Sequence, residues 1–378
     1  MTGASSAEHR LNNFEEVLEN RLGQSMVNGR VWVDVLTPKQ VLFFKPLIDD
    51  LRSEDIDVLA TSRKYREVVP LAERVGLDLH YVGERGGKDL VEQLEAATKR
   101  QAEIIPLIKG FAPQVAVSVA SAVCARIAFG LGAKHIAVND SPHSEVAGRL
   151  SLPLSYHLMC PWVIPISAWS PFGIGRRHVT RYHALDPAAW LKRKAYGGPI
   201  PRLDSRKKTI TVRVQESDAP YLAGKNRGWT DLVLQRVVDV FPECNLVALC
   251  RYDYQVEEVR KVFGSKYIIP EEIIDGRGLL SATDLFIGMG GTMNAEAALM
   301  GVPTISAFQG SLWTDAYLQK VGLLARVSGP DALLRQARLF LDGAFKERFG
   351  KKARRVLDSM EDPVVKISSF IRKTIEQG

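Results

Sequence analysis

The chain lacks most of the patterns that announce a ligand. Its four cysteines, Cys124, Cys160, Cys244 and Cys250, form no CxxC and have no histidine nearby at zinc spacing. That excludes a zinc ribbon or a disulfide framework and predicts reduced, mostly buried thiols. There is no G-x-x-x-x-G-K-[ST], so the chain is not a P-loop nucleotidase, and no G-x-G-x-x-G. Aromatic residues do not interleave with the basic runs "SRKKTITVR" and "FKERFGKKARR", and no nucleic-acid partner is expected. The one stretch that mimics a membrane span, "LSLPLSYHLMCPWVIPISAW" at 150–169, carries Pro153, Pro161, Pro165 and His157. Three prolines would break a spanning helix, so a loop, a buried strand and an exit loop are expected. The start, "MTGASSAEHRLNNFEEVLENRLGQ", has no apolar core of a signal peptide and reads as a polar tail and a short amphipathic helix. A cytoplasmic location follows as the expectation.

What is present is an ordinary globular mixture, 46% hydrophobic and 25% charged over 378 residues, with a net charge of +7. Such a length predicts two domains. The cationic excess is read either as solvated helix faces or as attraction to an anionic substrate or an anionic membrane surface. Trp162 and Trp169 in the apolar stretch belong to the core or, on the membrane reading, to its contact face.

Apolar runs and amphipathic runs alternate along the chain. "RVWVDVL", "DIDVLATS", "LDLHYVG", "PQVAVSVA" and "KHIAVND" read as strands, with helical segments such as "KDLVEQLEAATKRQAEIIPLIKGF" between them. The pattern loosens over 150–208, where "YGGPIPRLDSRKK" suits a linker, and restarts with "KTITVRV", "NLVALC", "KYIIP", "DLFIGM" and "VPTISAF". Strict β-α alternation implies parallel sheets covered by helices on both faces. The expected fold class is α/β, two doubly wound Rossmann-like domains facing each other across a cleft. The expected divisions are 1–29 as an extension, 30–195, a linker at 196–208, 209–360, and a C-terminal helix at 361–378 that can cross back to the first domain. Ligands of open parallel sheets bind at the carboxyl ends of the strands, so the loops after strands matter most.

The most informative of these loops is "DLFIGMGGTMNAEAALM". Gly288, Gly290 and Gly291 follow a buried strand and allow backbone amides to approach a ligand. Thr292 is placed to cap the next helix, whose free amides and positive dipole end favour a phosphate. Glu296 lies one turn on, where a carboxylate can accept hydrogen bonds from ribose hydroxyls. The alternative is a tight strand–helix turn with Glu296 solvated.

With these residues in view, the segment "EEIIDGRGLLSATDLFIGMGGTMNAEAALMGVPTISAFQGSLWTDAYLQKVGLL" resembles the donor-nucleotide half of GT-B proteins. It is similar in style to the lipid-linked peptidoglycan N-acetylglucosaminyltransferase and to UDP-N-acetylglucosamine 2-epimerases. The resemblance implies that Gly290, Gly291 and Thr292 hold a nucleotide diphosphate and Glu296 the ribose. It also implies that the base lies against backbone around Ile273 and that Gln309 faces the donor sugar. From about 30 to 370 the chain further resembles a family of short GT-B-like archaeal and bacterial proteins known only as a domain of unknown function. The matching stretches are "VWVDVLTPKQVLFFKPLI", "VGERGGKDL", "ARIAFGLG", "VNDSPHSE" and "GGTMNAEAALMGVPTIS".

On the acceptor side, "LTPKQ" offers Lys39 and Gln40, "VGERGGK" offers Arg85, and "AVNDSPHSEVAGR" offers Asn139, Asp140, His143 and Glu145. Asp140 and His143 can form an oriented acid–base pair that deprotonates a sugar hydroxyl, with Glu145 beside them. The alternative is an Asx-turn with a surface histidine. Arg213, near the end of a strand, can pair with a diphosphate or lie on the surface. No metal and no cofactor are expected. The Asp55–Asp57 pair opens a strand, at the wrong end of a sheet, and helix-end amides with basic side chains can carry the leaving charge.

The expected function is transfer of a sugar from a nucleotide diphosphate donor, UDP first, to a hydroxyl acceptor, with a lipid-linked acceptor as one option. The alternatives are a nucleotide-sugar 2-epimerase and a non-catalytic nucleotide-sugar-binding protein. Epimerases of the resembled superfamily carry an aspartate after the fourth strand, where this chain reads "SVASAV".

Overall fold

A computed structural model of the chain describes residues 29–87, 89–215, 227–270 and 273–377. The expected N-terminal tail and amphipathic helix therefore lie outside the described residues, as does Lys88 of the "VGERGGK" loop.

Two parallel sheets organise these residues. The first runs β3-β2-β1-β4-β5-β6-β7. Its strands are β1 (Arg30–Asp34), β2 (Asp57–Lys64), β3 (His80–Glu84), β4 (Val115–Ser118), β5 (Lys134–Val138), β6 (His157–Pro161) and β7 (Val179–Tyr182). The second runs β12-β11-β10-β8-β9. Its strands are β8 (Thr209–Arg213), β9 (Asn245–Leu249), β10 (Leu285–Gly288), β11 (Thr304–Ser306) and β12 (Ala325–Arg326). Central strands read as continuous apolar runs because helices cover both faces: Val31, Trp32 and Val33 of β1, and Leu285, Phe286 and Ile287 of β10, have no exposed surface.

The strand order of each sheet reverses once, between β1 and β4 and between β8 and β10. Loops on either side of such a reversal part and leave a crevice at the carboxyl ends. The loops after β1 and β4 in the first sheet, and after β8 and β10 in the second, flank that crevice, and the loop after β5 lies next along the same edge.

The 150–169 stretch contains β6 flanked by short 3-10 turns, as the prolines demand. Trp169 is fully buried, and Trp162 packs on His183 and Tyr317 at ring distances of 4.3 and 4.8 Å. Two elements depart from the expectation. β7 falls within the loosened region, and "KYIIP" reduces to a single bridge, Val247 to Ile268, because Pro270 offers no ladder donor.

The C-terminal helix Pro363–Glu376 returns to the first sheet. Val364, Ile367 and Ile371 lose all exposure, each worth about 1.5–3 kcal/mol of apolar burial. Lys134 Nζ donates to the Thr374 carbonyl at 3.3 Å, and Arg372 reaches Asp50 at 3.5 Å. The helix thus ties the end of the chain beneath the opposite half.

Candidate functional site

The carboxyl edges of the two sheets enclose a cleft of about 610 Å³. Lys39, Asp140, His143 and Trp190 line it from one side, and Arg213, Gly290, Thr292 and Glu296 from the other.

On the second sheet, β10 ends at Gly288, in register with Arg213 of β8. Gly290 and Gly291 then take φ of 95° and 88°, a region side chains rarely enter. A Cβ on Gly290 would stand 2.9 Å from the Phe308 ring, whereas one on Gly291 would meet nothing within 4 Å. The helix Thr292–Leu299 follows, and its N-cap is Gly291, not Thr292 as expected. Gly291 has no side chain, so no side-chain cap covers the first amides of that helix. Positive dipole density is left facing the cleft.

Gly288 does not take part as expected. It is buried, and a side chain there would collide with the Asn294 amide oxygen. Asn294, Ser306 and Asp315 hydrogen-bond beneath the turn, with Ser306 Oγ donating to Asp315 Oδ2 at 2.6 Å. Gln309 is exposed and does not line the cleft; Phe308, Leu312 and Trp313 hold that wall. The Ile273 carbonyl is at the rim and accepts a hydrogen bond from Arg74 at 2.5 Å.

Glu296 is only 7% exposed, and one of its carboxylate oxygens accepts the Trp190 indole N–H at 2.8 Å. Burial raises its pKa, and the Trp190 hydrogen bond opposes that rise. Trp190 belongs to the single turn Ala188–Leu191 that leaves the first sheet. Arg277 Nη1 donates to the carbonyls of Trp190 and Arg193 at 3.1 and 2.8 Å, which fastens the turn to the second half. No motif marked Trp190; a lone tryptophan in "DPAAWLKRK" carries no signal by itself.

On the first sheet, Lys39 sits in the first turn of the helix Pro38–Ser53. Its ammonium reaches Asp140 Oδ2 at 2.6 Å and Asp186 Oδ2 at 2.8 Å. Tyr182 donates its hydroxyl to the other oxygen of Asp186 at 2.5 Å, and Ser141 donates to Asp140 Oδ1 at 2.7 Å. Asn139 is buried and shapes the loop by accepting the Ser141 amide at 2.8 Å. Burial opposes ionisation of Asp140, but the Lys39 ammonium beside it outweighs this and holds the carboxyl below its usual range. Burial pushes Asp186 up to about 6. Burial also disfavours the charged form of Lys39, yet the two carboxylates more than compensate and hold it protonated. His143 lines the cleft too; burial lowers its pKa while Asp140 pulls it upward.

Three acceptor-side expectations move elsewhere. Glu145 begins the helix Glu145–Ser151, outside the cleft lining, and pairs with Arg149 at 2.7 Å in solvent, because its place one turn before that arginine favours a local ion pair. Gln40 is buried and accepts the Leu36 amide at 2.6 Å, sealing the loop before its helix. Arg85 stands between the rings of Tyr65 and Tyr252, 5.2 and 5.3 Å from their centroids. It bridges the two halves by cation–π contact and does not line the cleft. Asp57 opens β2, at the amino end of its sheet, with Asp55 two residues before it. Among the described residues no group of three or more metal-ligating side chains converges, and no helix is long and apolar enough to cross a membrane.

The family described as "Protein of unknown function (DUF354)" matches residues 29–369. The chain belongs to that family. An uncharacterized protein of Methanocaldococcus jannaschii is 31% identical over 303 residues, covering 78% of this chain and 86% of the relative. Among solved structures, the UDP-GlcNAc 2-epimerase of Neisseria meningitidis bound to UDP-GlcNAc is similar with a TM-score of 0.70 at 13% identity, covering 92% of this chain and 100% of the other. The glycotransferase of kitacinnamycin gives a TM-score of 0.62 at 14% identity, covering 92% and 99%. The fold is therefore GT-B-like, shared with both glycosyltransferases and epimerases. At such identities these likenesses speak of architecture alone.

Proposed function

We propose that the chain binds a nucleoside diphosphate sugar, with UDP as the nucleotide, and transfers the sugar to a hydroxyl acceptor. One observation carries the reading: an uncapped, glycine-turned helix start and a lysine-bridged carboxylate pair line the same cleft from opposite sheets. The amides of Gly291 and Thr292, with Arg213 beside them, suit a diphosphate. The second oxygen of Glu296 suits a ribose hydroxyl. Asp140, with His143 at hand, receives the proton of the acceptor hydroxyl. The oxygen of that hydroxyl bonds to the anomeric carbon as the carbon–diphosphate bond breaks, and the electron pair leaves with the diphosphate. Amides and the arginine stabilise the charge that develops there.

Elimination at the second carbon of the sugar, the route of a 2-epimerase, needs an acid or base near that carbon. The loop after β4 offers only Ser118 and Ser121, and their hydroxyls are engaged with His135 and Asp34 at 2.8 and 2.9 Å. That speaks against the route of the resembled epimerases; an epimerase built on this chain would have to use Asp140 and His143. Calorimetric titration of UDP, GDP, ADP and their sugars tests the donor site, and binding of none of them overturns the reading. Incubation of a bound nucleotide sugar in deuterated water tests the reaction: deuterium at the second carbon would move the assignment to epimerase. A lipid-linked acceptor is the further option, on the strength of the net charge of +7. Sedimentation with liposomes checks it, and binding that ignores anionic lipid removes it.

A further inference from the structure

Asp140 and Asp186 share a single ammonium, and they differ in access. The Asp140 side chain retains 13% exposure and the Asp186 side chain 3%, with Lys39 between them at 21%. Both acids border the cleft, and Asp140 is the one with surface to offer a ligand. Asp186 in turn is anchored by Tyr182, which is wholly buried.

We propose that Asp140, Lys39 and Asp186 act as one proton-accepting unit, in which Asp140 meets the acceptor hydroxyl and Asp186 stores the proton. The inference rests on the transferase reading above and deepens it. Two carboxylates and one ammonium leave the unit with a net charge of −1. Taking up a proton makes the unit neutral, which a buried site favours; an isolated Lys–Asp pair would have to become positive. The two acids therefore titrate as a pair and not as separate residues. The transfer balances. The acceptor O–H proton passes to Asp140, Lys39 gives one proton to Asp186, and Lys39 is reprotonated by Asp140. Asp140 is again a carboxylate, the ammonium is restored, and Asp186 ends protonated. Asp186 is a positioning residue in this scheme, since it acts on the acceptor only through Lys39 and Asp140.

The remaining titratable groups around the unit do not compete. His143 comes from the same loop as Asp140, and its pKa is lowered chiefly by burial. Tyr182 of β7 and Cys160 of β6 are held protonated, both pushed up by burial. Arg181 acts on Cys160 from the same edge.

The test uses the full chain without ligand, labelled with 13C at the aspartate carboxyls, with Asp140→Asn and Asp186→Asn assigning the signals. In the native protein the Asp186 signal should titrate near pH 6, and the Asp140 signal, still a carboxylate, should shift at that same step because the ammonium between them is shared. Asp186→Asn should lower the Asp140 midpoint by about one pH unit or more, a tenfold change in proton affinity, because the lysine charge then acts on Asp140 alone. Lys39→Met should raise the first midpoint by a similar amount. Tyr182→Phe, which keeps the shape of the buried ring, should raise it less, and it serves as the second probe if Asp186→Asn does not fold. Two independent midpoints, each unmoved by substitution of the other acid, would overturn the proposal. The titration needs no donor, so failure of nucleotide binding and failure of the proton unit are read separately.

Discussion

Two cation–carboxylate clusters lie near the end of β1, and they are built to opposite ends. Asp34, the last residue of β1, has no exposed surface and accepts hydrogen bonds from Arg100 at 2.6 and 3.3 Å, Thr61 at 2.9 Å and Ser121 at 2.9 Å. Arg100 is the ion-pair partner, the Arg63 guanidinium stands near enough for its charge to act on the pair, and both oxygens of Asp34 are satisfied. Ser121 leads on to Ser118, whose hydroxyl meets His135 at 2.8 Å, and His135 meets Ser155 at 2.9 Å. The Lys39 cluster instead sets two acids on one lysine and stands at the wall of the cleft. A closed network whose carboxylate has every oxygen hydrogen-bonded is architecture. A cluster with one charge in excess and one edge open has capacity left for a ligand or a proton.

The largest effect expected from this contrast is on stability. Arg100→Met strands the Asp34 carboxylate in the core and should cost about 3–5 kcal/mol in urea unfolding. Lys39→Met should cost clearly less, because Asp140 keeps access to water; equal losses would erase the distinction between the clusters.

Next comes acid sensitivity of the closed network. Burial holds His135 down to about 4, from an ordinary 6.5. A histidine harder to protonate when folded lends stability that is complete above pH 6.5 and drains as pH falls towards 4, at about 1.4 kcal/mol per unit. His135→Gln should flatten unfolding free energy across that window, and an unchanged slope would assign the acid loss elsewhere.

On the opposite wall, Gly291→Ala forces a side chain into φ 88°, ψ 179° and should cost about 1–3 kcal/mol in thermal unfolding, together with diphosphate affinity. Affinity kept intact would show that the helix start is not the anion site. Glu296→Ala should weaken UDP binding by about 1–3 kcal/mol in calorimetry and leave inorganic pyrophosphate binding unchanged. Equal loss for both ligands would place Glu296 in structural support of the turn and not in ribose recognition.

Much of the fold was legible because burial on both faces writes a period into the residues. β1, β4 and β10 are apolar through their centres, β8 alternates Ile210 and Val212 with threonines that are also buried, and the helices between them carry one apolar side. β7 carries little signal because "VTRY" at a sheet edge is half polar, and "KYIIP" looks like a strand although its proline leaves only the bridge at Ile268. In the site, Gly290, Gly291, Thr292, Glu296, Arg213, Lys39, Asp140 and His143 do line one cleft. Gln40, Arg85, Glu145, Gln309 and Gly288 do not, because a loop's residue types tell which side chains are available and not which way each turns. Asp186 and Trp190 went unnoticed because neither follows a strand in a recognisable motif.

By itself the sequence determined what is local. Alternating apolar and amphipathic runs dictate parallel strands with helices between them, and paired glycines dictate a turn that only residues without a Cβ adopt. The tertiary structure alone decided what is distant. It brought Trp190 to Glu296 across 106 residues of chain, and it set Asp140 and Asp186 on one lysine. Those pairings depend on how two separately wound sheets meet, and a short polar side chain gains its chemistry from the charge and burial of neighbours that no local pattern encodes.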